Sequence, residues 1–242
     1  MLKCKPFQWF IVGVIISVGI LSFSGPMQVL SGHPVDKQKV LFIIAFEGFK
    51  DEELEVPKQI LEQAGATSVI ASDQKGMAKG ADGTQILVEI SLDEINVDNY
   101  AAIVFVGGPG TPDHLWGNSD AINIAQNAYA KGKIIGAICL APGVLAEAGI
   151  LEGKRVTAFH TAKDKLEQAG ATFVDQNVVI DGNIITANGP GAADKFAEAI
   201  GDQLFKVSTG ETEVEEGQFI LQFMVAVTLG LLLGIRPLKR KE

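Results

Sequence analysis

"GKIIGAICLAPGVL", residues 132–145, runs through a short apolar stretch, stops at a cysteine, passes Ala-Pro-Gly and resumes as a second apolar run. An uninterrupted apolar run this short, opened by a glycine, is the pattern of a strand buried on both faces of a parallel sheet. Pro142 then marks the first turn of a helix, where its missing N–H costs nothing. Cys139 therefore falls on a strand-to-helix turn, held out of the sheet and facing the start of the helix. As a filler, a cysteine there is a small hydrophobe. As a nucleophile, its thiolate is favoured by the unpaired N–H groups of the helix end.

The same alternation extends on both sides. "KVLFIIAF" (39–46), "ATSVIAS" (66–72), "AAIVFVGG" (101–108) and "KIIGAIC" (133–139) read as buried strands. Between them lie helical patterns, "VPKQILEQAG" with Pro57 in its first turn and "SDAINIAQNAYAKG" (119–132). "KRVTAF", "KDKLEQAG", "ATFV", "NIITA" and "AADKFAEAIGDQL" continue the series to Leu204. "LEQAGAT" recurs at 61–67 and 166–172, which a helix end, a glycine stop and a strand start explain without duplication. Strand–helix alternation of this density predicts an α/β fold: a doubly wound, mostly parallel sheet flanked by helices, flavodoxin-like. Ligands in such sheets bind beyond the carboxyl ends of the strands.

Three stretches end strands at that edge: "AFEGFKDEELEVP", "VGGPGTPDHLW" and "AICLAPG". Gly107 and Gly108 permit close backbone approach, so an amide there and the Leu140 N–H are expected to form an oxyanion hole beside Cys139. A thiol pKa lowered by about two units needs roughly 2.7 kcal/mol. The helix dipole, at up to ~2 kcal/mol, and one charge-assisted hydrogen bond are together sufficient.

"GAICLAPGVLAEAGILEGKRVTAF", with "VFVGGPGTPD" before it and "DGNIITANGPGAADKFAEAI" after it, resembles the ThiJ/PfpI family over residues 39–206. The resemblance implies the class I glutamine amidotransferase-like fold and a reactive elbow cysteine, here Cys139. It also implies a protonated glutamic acid against that thiol; "EELEVP" puts it at Glu53. Peptidase-like members carry a histidine directly after the cysteine, where this chain has Leu140. His160 lies near the place where other members keep a histidine. Asp113 matches the acid that in peptidase-like members orients the histidine, often across a subunit contact, and His114 is its neighbour. The implied activities are those of a cysteine hydrolase or a glyoxalase- or deglycase-like enzyme acting on a small carbonyl or peptide substrate. Two rivals stand beside them: a redox or stress sensor, chaperone-like, using the same cysteine, and an inactive structural subunit of a membrane complex. The family usually dimerises, so a homodimer is expected.

Composition narrows the partners. The net charge of −9 argues against nucleic acid. Cys4 and Cys139 are the two cysteines, and His33, His114 and His160 the three histidines, all scattered, so neither a disulfide framework nor a metal site is expected. No cofactor is expected.

The ends read differently. Residues 1–24 carry Lys3 and Lys5 before an uncharged stretch from Phe7 to Phe23, which fits a transmembrane anchor or a signal peptide. Residues 25–38 read as a linker, 39–207 as the domain, and 208–217 as an acidic linker. Residues 218–235 are uncharged and predict a transmembrane helix, followed by a basic tail at 236–242. Gly230 and Gly234 form a small-xxx-small pair suited to close helix contact. Positive charge at both ends predicts a domain on the exoplasmic side, with the bilayer as a partner and the tail in the cytoplasm.

Overall fold

The computed structural model describes residues 38–205. The two terminal apolar segments, both linkers but for Gln38, the basic tail and Cys4 lie outside the described residues. Among the described residues, no helix is long and apolar enough to cross a membrane.

The strands in chain order are β1 (Lys39–Ile44), β2 (Glu47–Phe49), β3 (Thr67–Ser72), β4 (Gly76–Gly80), β5 (Gln85–Val88), β6 (Ile90–Ser91), β7 (Ala102–Phe105), β8 (Ile134–Ile138), β9 (Arg155–Val156), β10 (Thr172–Phe173), β11 (Val178–Asp181) and β12 (Ile184–Ala187). The helices are α1 (Asp51–Gln63), α2 (Thr111–His114), α3 (Ser119–Ala130), α4 (Pro142–Glu147), α5 (Lys163–Gln168) and α6 (Ala193–Leu204). Seven strands form one sheet in the order β11-β12-β8-β7-β1-β3-β6. All its pairings are parallel except β11 with β12. The chain winds outward from β1 through β3 to β6, then crosses back to build β7, β8 and β12 on the other side. The reversal falls between β1 and β7, where a doubly wound sheet opens its binding crevice.

Successive side chains on a strand face opposite ways. On β1, Leu41 and Ile43 join the core layer that includes Ile124 of α3 and Leu145 of α4. Val40, Phe42 and Ile44 join the layer formed with α1 and α6, through Leu54, Leu61, Phe196 and Ile200. Burial on both faces explains why these strands read as continuous apolar runs. Gly136 of β8 leaves room for α6: a Cβ there would sit 2.8 Å from the Phe196 ring.

Several expectations need correction. α1 starts at Asp51, so Pro57 lies inside the helix and not in its first turn. The acids Asp51, Glu52 and Glu53 occupy that first turn, where the positive end of the helix favours them. Asp51 is buried and accepts the Asp82 and Thr84 amides at 2.8 Å each, tying α1 to the turn between β4 and β5. "KRVTAF" and "ATFV" do not enter the main sheet; β9 and β10 form a separate two-stranded ribbon. The place beside β8 is taken by β12. A further small sheet, β2-β4-β5, lies outside the expected pattern.

Phe196 is fully buried between α6 and the sheet. Phe196→Ala is expected to lower the unfolding free energy by about 3–5 kcal/mol, the cost of a large cavity in a close-packed layer. A urea titration of the two proteins measures it.

Candidate active site

β8 ends at Ile138, and the chain turns sharply at the next residue. Cys139 has φ 62°, the one positive φ at a non-glycine residue among the described residues. A side chain held in this left-handed region costs on the order of 1–3 kcal/mol and persists only where neighbours over-determine it. They do so here. The Cys139 amide donates to the Ala187 carbonyl of β12 at 2.9 Å, and its carbonyl accepts the Phe159 amide at 2.9 Å. The Ala141 amide returns to Ile138 at 3.0 Å. The elbow is a tight turn fixed on both flanks, as the sequence pattern implied.

Glu53 reaches the same point from the first turn of α1 and is fully buried. Its Oε2 accepts the Gly107 amide at 3.1 Å. Its Oε1 has no partner in hydrogen-bond geometry. The thiol of Cys139 lies beside the carboxyl, within reach of it. Gly107 has no room for a side chain: a Cβ would sit 2.6 Å from both Cys139 Cβ and Glu53 Oε2. Gly108 has φ +128°, and a Cβ there would meet the Gly48 carbonyl and Lys50 amide at 2.4 Å. This glycine pair lets three segments converge on one sulfur.

The amides are assigned differently from expectation. Gly107 donates to Glu53 and is not free to hold an oxyanion. The Leu140 and Gly108 amides are instead the groups that favour the thiolate, pulling the thiol pKa down. The helix beyond the elbow is short, α4 alone, and Leu140 and Ala141 separate it from Cys139. Burial pushes the Glu53 carboxyl up to about 7, against the pull of hydrogen bonds from Cys139 and Gly107. Burial, then the charge and hydrogen bonding of Glu53, push the Cys139 thiol up to about 12, against the two amides. The lowered thiol pKa expected from the sequence is therefore not met: burial, the largest cause, opposes the thiolate, and the charge of Glu53 adds to it. The two groups titrate as a pair. With one proton in the pair, moving that proton from the thiol to Glu53 removes the opposing charge, while burial still opposes the thiolate and the amides of Leu140 and Gly108 favour it.

A cavity of about 280 Å³ opens on this pair, bounded also by Lys50, Gly108, Leu140 and Phe159. His160 does not line it. It is exposed, its ring 4.4 Å from that of Phe159, and borders a neighbouring groove of about 690 Å³ with Lys163 and Asn188. Asp113 is exposed on α2, and its neighbour His114 pairs with Asp73 at 2.8 Å. The described residues thus place Glu53 and Cys139 together, and His160 and Asp113 outside their cavity. Among the described residues, no cluster of three or more His, Cys, Asp or Glu is arranged to hold a metal ion. Sequence reasoning missed Trp116, whose Nε1 donates to the Leu140 carbonyl at 3.0 Å. Only the tertiary fold brings it there.

A strained cysteine elbow at the carboxyl edge of a doubly wound sheet, with a buried carboxylic acid against it, defines a class of cysteine-centred α/β proteins. The chain belongs to the DJ-1/PfpI family, whose profile matches residues 38–203. It is 44% identical to an uncharacterized protein of Methanocaldococcus jannaschii, over 65% of this chain and 78% of that one. It is 36% identical to the deglycase PfpI of Pyrococcus furiosus, over 63% of this chain and 91% of that one. Among solved structures, a ThiJ/PfpI domain protein from Brachyspira murdochii superposes with a TM-score of 0.69 at 31% identity, covering 71% of this chain and 99% of that one.

The Glu53 shift has a stability consequence. A carboxyl raised in the folded state contributes most below its unfolded pKa of about 4.3, and that contribution is lost as pH rises through about 7. Stability is expected to fall over this window by an amount on the order of 3 kcal/mol. Glu53→Gln flattens that slope, and chemical denaturation at stepped pH checks it.

Proposed function

We propose that the protein is a carbonyl-processing enzyme of the deglycase or glyoxalase type, with Cys139 as nucleophile and Glu53 as its proton partner. The observation that carries this reading is the buried Glu53–Cys139 pair at the strained elbow, with a small cavity opening on it. The substrate class is a small electrophilic carbonyl compound: a 2-oxoaldehyde, or the adduct it forms on an amine or a thiol. In the first step the thiolate adds to the carbonyl carbon and the C=O π bond breaks. The new alkoxide takes the proton of Glu53, leaving a hemithioacetal and a carboxylate. Glu53 is then the base for the next proton removal. A Glu53 pKa near operating pH suits both roles.

Peptide hydrolysis is less well supported. Leu140 stands where peptidase-like relatives keep a histidine, and His160 borders a different groove. The cavity at the thiol, at about 280 Å³, lies just below the ~300–1,000 Å³ of drug-sized sites and suits a small substrate. Redox sensing would draw on the same thiol but leaves the small cavity that opens on the pair without a role. A purely structural subunit gains nothing from a buried, half-partnered carboxyl, which costs stability.

The proposal extends to location. The uncharged stretch 218–235 and the basic tail support an anchor at the outer face of a membrane, with the domain working there as a homodimer or within a larger membrane assembly.

Cys139→Ala is expected to reduce consumption of a 2-oxoaldehyde such as methylglyoxal to the uncatalysed background; undiminished turnover refutes the nucleophile. For the anchor, full-length protein is expected to stay in the membrane pellet after an alkaline wash. The domain is expected to be digested by protease added outside intact cells. Recovery in the soluble fraction overturns the anchoring.

A further inference from the structure

The cavity of about 280 Å³ that opens on Cys139 is walled by Pro109, Leu140, Phe159 and Pro190, with Lys50 at its side. The surface it presents to a ligand is apolar. Two charged side chains could have broken that surface, and neither does. Glu53 is fully buried, so its carboxyl stands behind the wall and not on it. The Lys50 ammonium is drawn to Asp82 at 2.6 Å, in the turn between β4 and β5, and Asp82 does not line the cavity. What Lys50 offers inward is its hydrocarbon stem.

Polar side chains begin farther on. Phe159 and Pro190 also border the groove of about 690 Å³ that carries His160, Lys163, Asp175 and Asn188. Phe159 is 38% exposed, a large apolar ring left uncovered where the two spaces meet. The chain thus sets an apolar chamber at the sulfur and a polar channel beside it.

A charged group pushed into that chamber would lose its water and gain no counter-charge, since the cation of the lining is engaged elsewhere. A hydrocarbon group gains in proportion to the area it removes from water. A dry apolar cavity of about 150 Å³ suffices for benzene, so this one has room for a ring or a branched alkyl group together with the reacting carbonyl. We infer that the chamber selects the group next to the reacting carbonyl: the substrate is a 2-oxoaldehyde bearing an alkyl or aryl group, and Leu140 and Phe159 are the side chains that set this preference. A 2-oxo acid or a phosphorylated carbonyl compound is discriminated against. The substrate class rests on the carbonyl-processing reading, whereas the selectivity of the chamber is tested without turnover.

The probes are iodoacetanilide, iodoacetamide and iodoacetate, which share one reacting group and end in a phenyl ring, a neutral amide and an anion. Alkylation of Cys139 in the full chain is followed by mass spectrometry of its peptide, which separates it from Cys4. Each rate is divided by that of N-acetylcysteine with the same reagent. Ratios between reagents then cancel the acidity of the thiol. The normalised rate with iodoacetanilide is expected to exceed that with iodoacetamide by about tenfold, and that with iodoacetate to fall about tenfold below it. Leu140→Gln and Phe159→Ala are each expected to lower the anilide-to-amide ratio by about threefold or more. Equal normalised rates for the anilide and the amide in the wild-type protein overturn the inference, whether or not the variants fold. A folded variant that keeps the wild-type ratio removes its residue from the role. In turnover, kcat/KM is expected to be higher for phenylglyoxal than for glyoxylate, and the reverse order overturns the substrate class. Absence of turnover with every 2-oxoaldehyde refutes the carbonyl reading and the substrate with it, while the alkylation ratios still decide the chamber.

Discussion

The left-handed backbone at Cys139 is the constraint on which the site depends. An L-residue does not rest there unaided; it is kept there by hydrogen bonds to Ala187 and Phe159 and by the turn closed between Ala141 and Ile138. These contacts come from β12, from the segment after β9, and from the elbow itself. The sheet order makes them available, because β12 pairs with β8 directly and delivers Ala187 alongside Ile138. The chemistry of the thiol follows from a geometry that the whole sheet edge enforces.

The same edge sets the proton balance. Three chain reversals meet at one atom, and two glycines allow it. Gly107 gives its amide to the carboxyl, while the Gly108 amide favours the thiolate. Adjacent amides on one turn thus serve opposite members of the pair. A buried carboxyl with one satisfied oxygen holds its proton into the neutral range. That retained proton removes the charge of Glu53 from beside the sulfur and leaves burial as the remaining opposition to a thiolate, so a site whose cavity no imidazole lines still contains an acid and a latent base.

What was legible follows from burial. β1, β3, β7, β8 and β12, with α3 and α6, lie within about three residues of their reading; for the strands, burial on both faces leaves an unbroken apolar run. β4, β5 and β11 were missed for the converse reason. Met77, Leu87 and Ile180 are exposed there, so these strands lack the unbroken apolar run of a strand buried on both faces. β9 and β10 were recognised as extended but assigned to the wrong sheet, since two-residue strands carry no signal of their partners. In the site, Cys139 was visible from its turn and Glu53 from the family resemblance. The direction of the Gly107 amide was not, because it depends on how one peptide plane is rotated. Trp116 carried no local signal at all; its partner oxygen lies across the fold.

The separation of the reacting pair along the chain has a temporal consequence. Glu53, Gly107 and Cys139 enter from three distant stretches, so during synthesis the carboxyl and its amide leave the ribosome well before the sulfur does. Until β8 slots between β7 and β12, the cysteine is an ordinary thiol of ordinary acidity, neither muted by a neighbouring anion nor sheltered in a cleft. Any breathing that parts those strands returns it to that condition. The acidity of one sulfur is therefore an internal gauge of whether the sheet is closed.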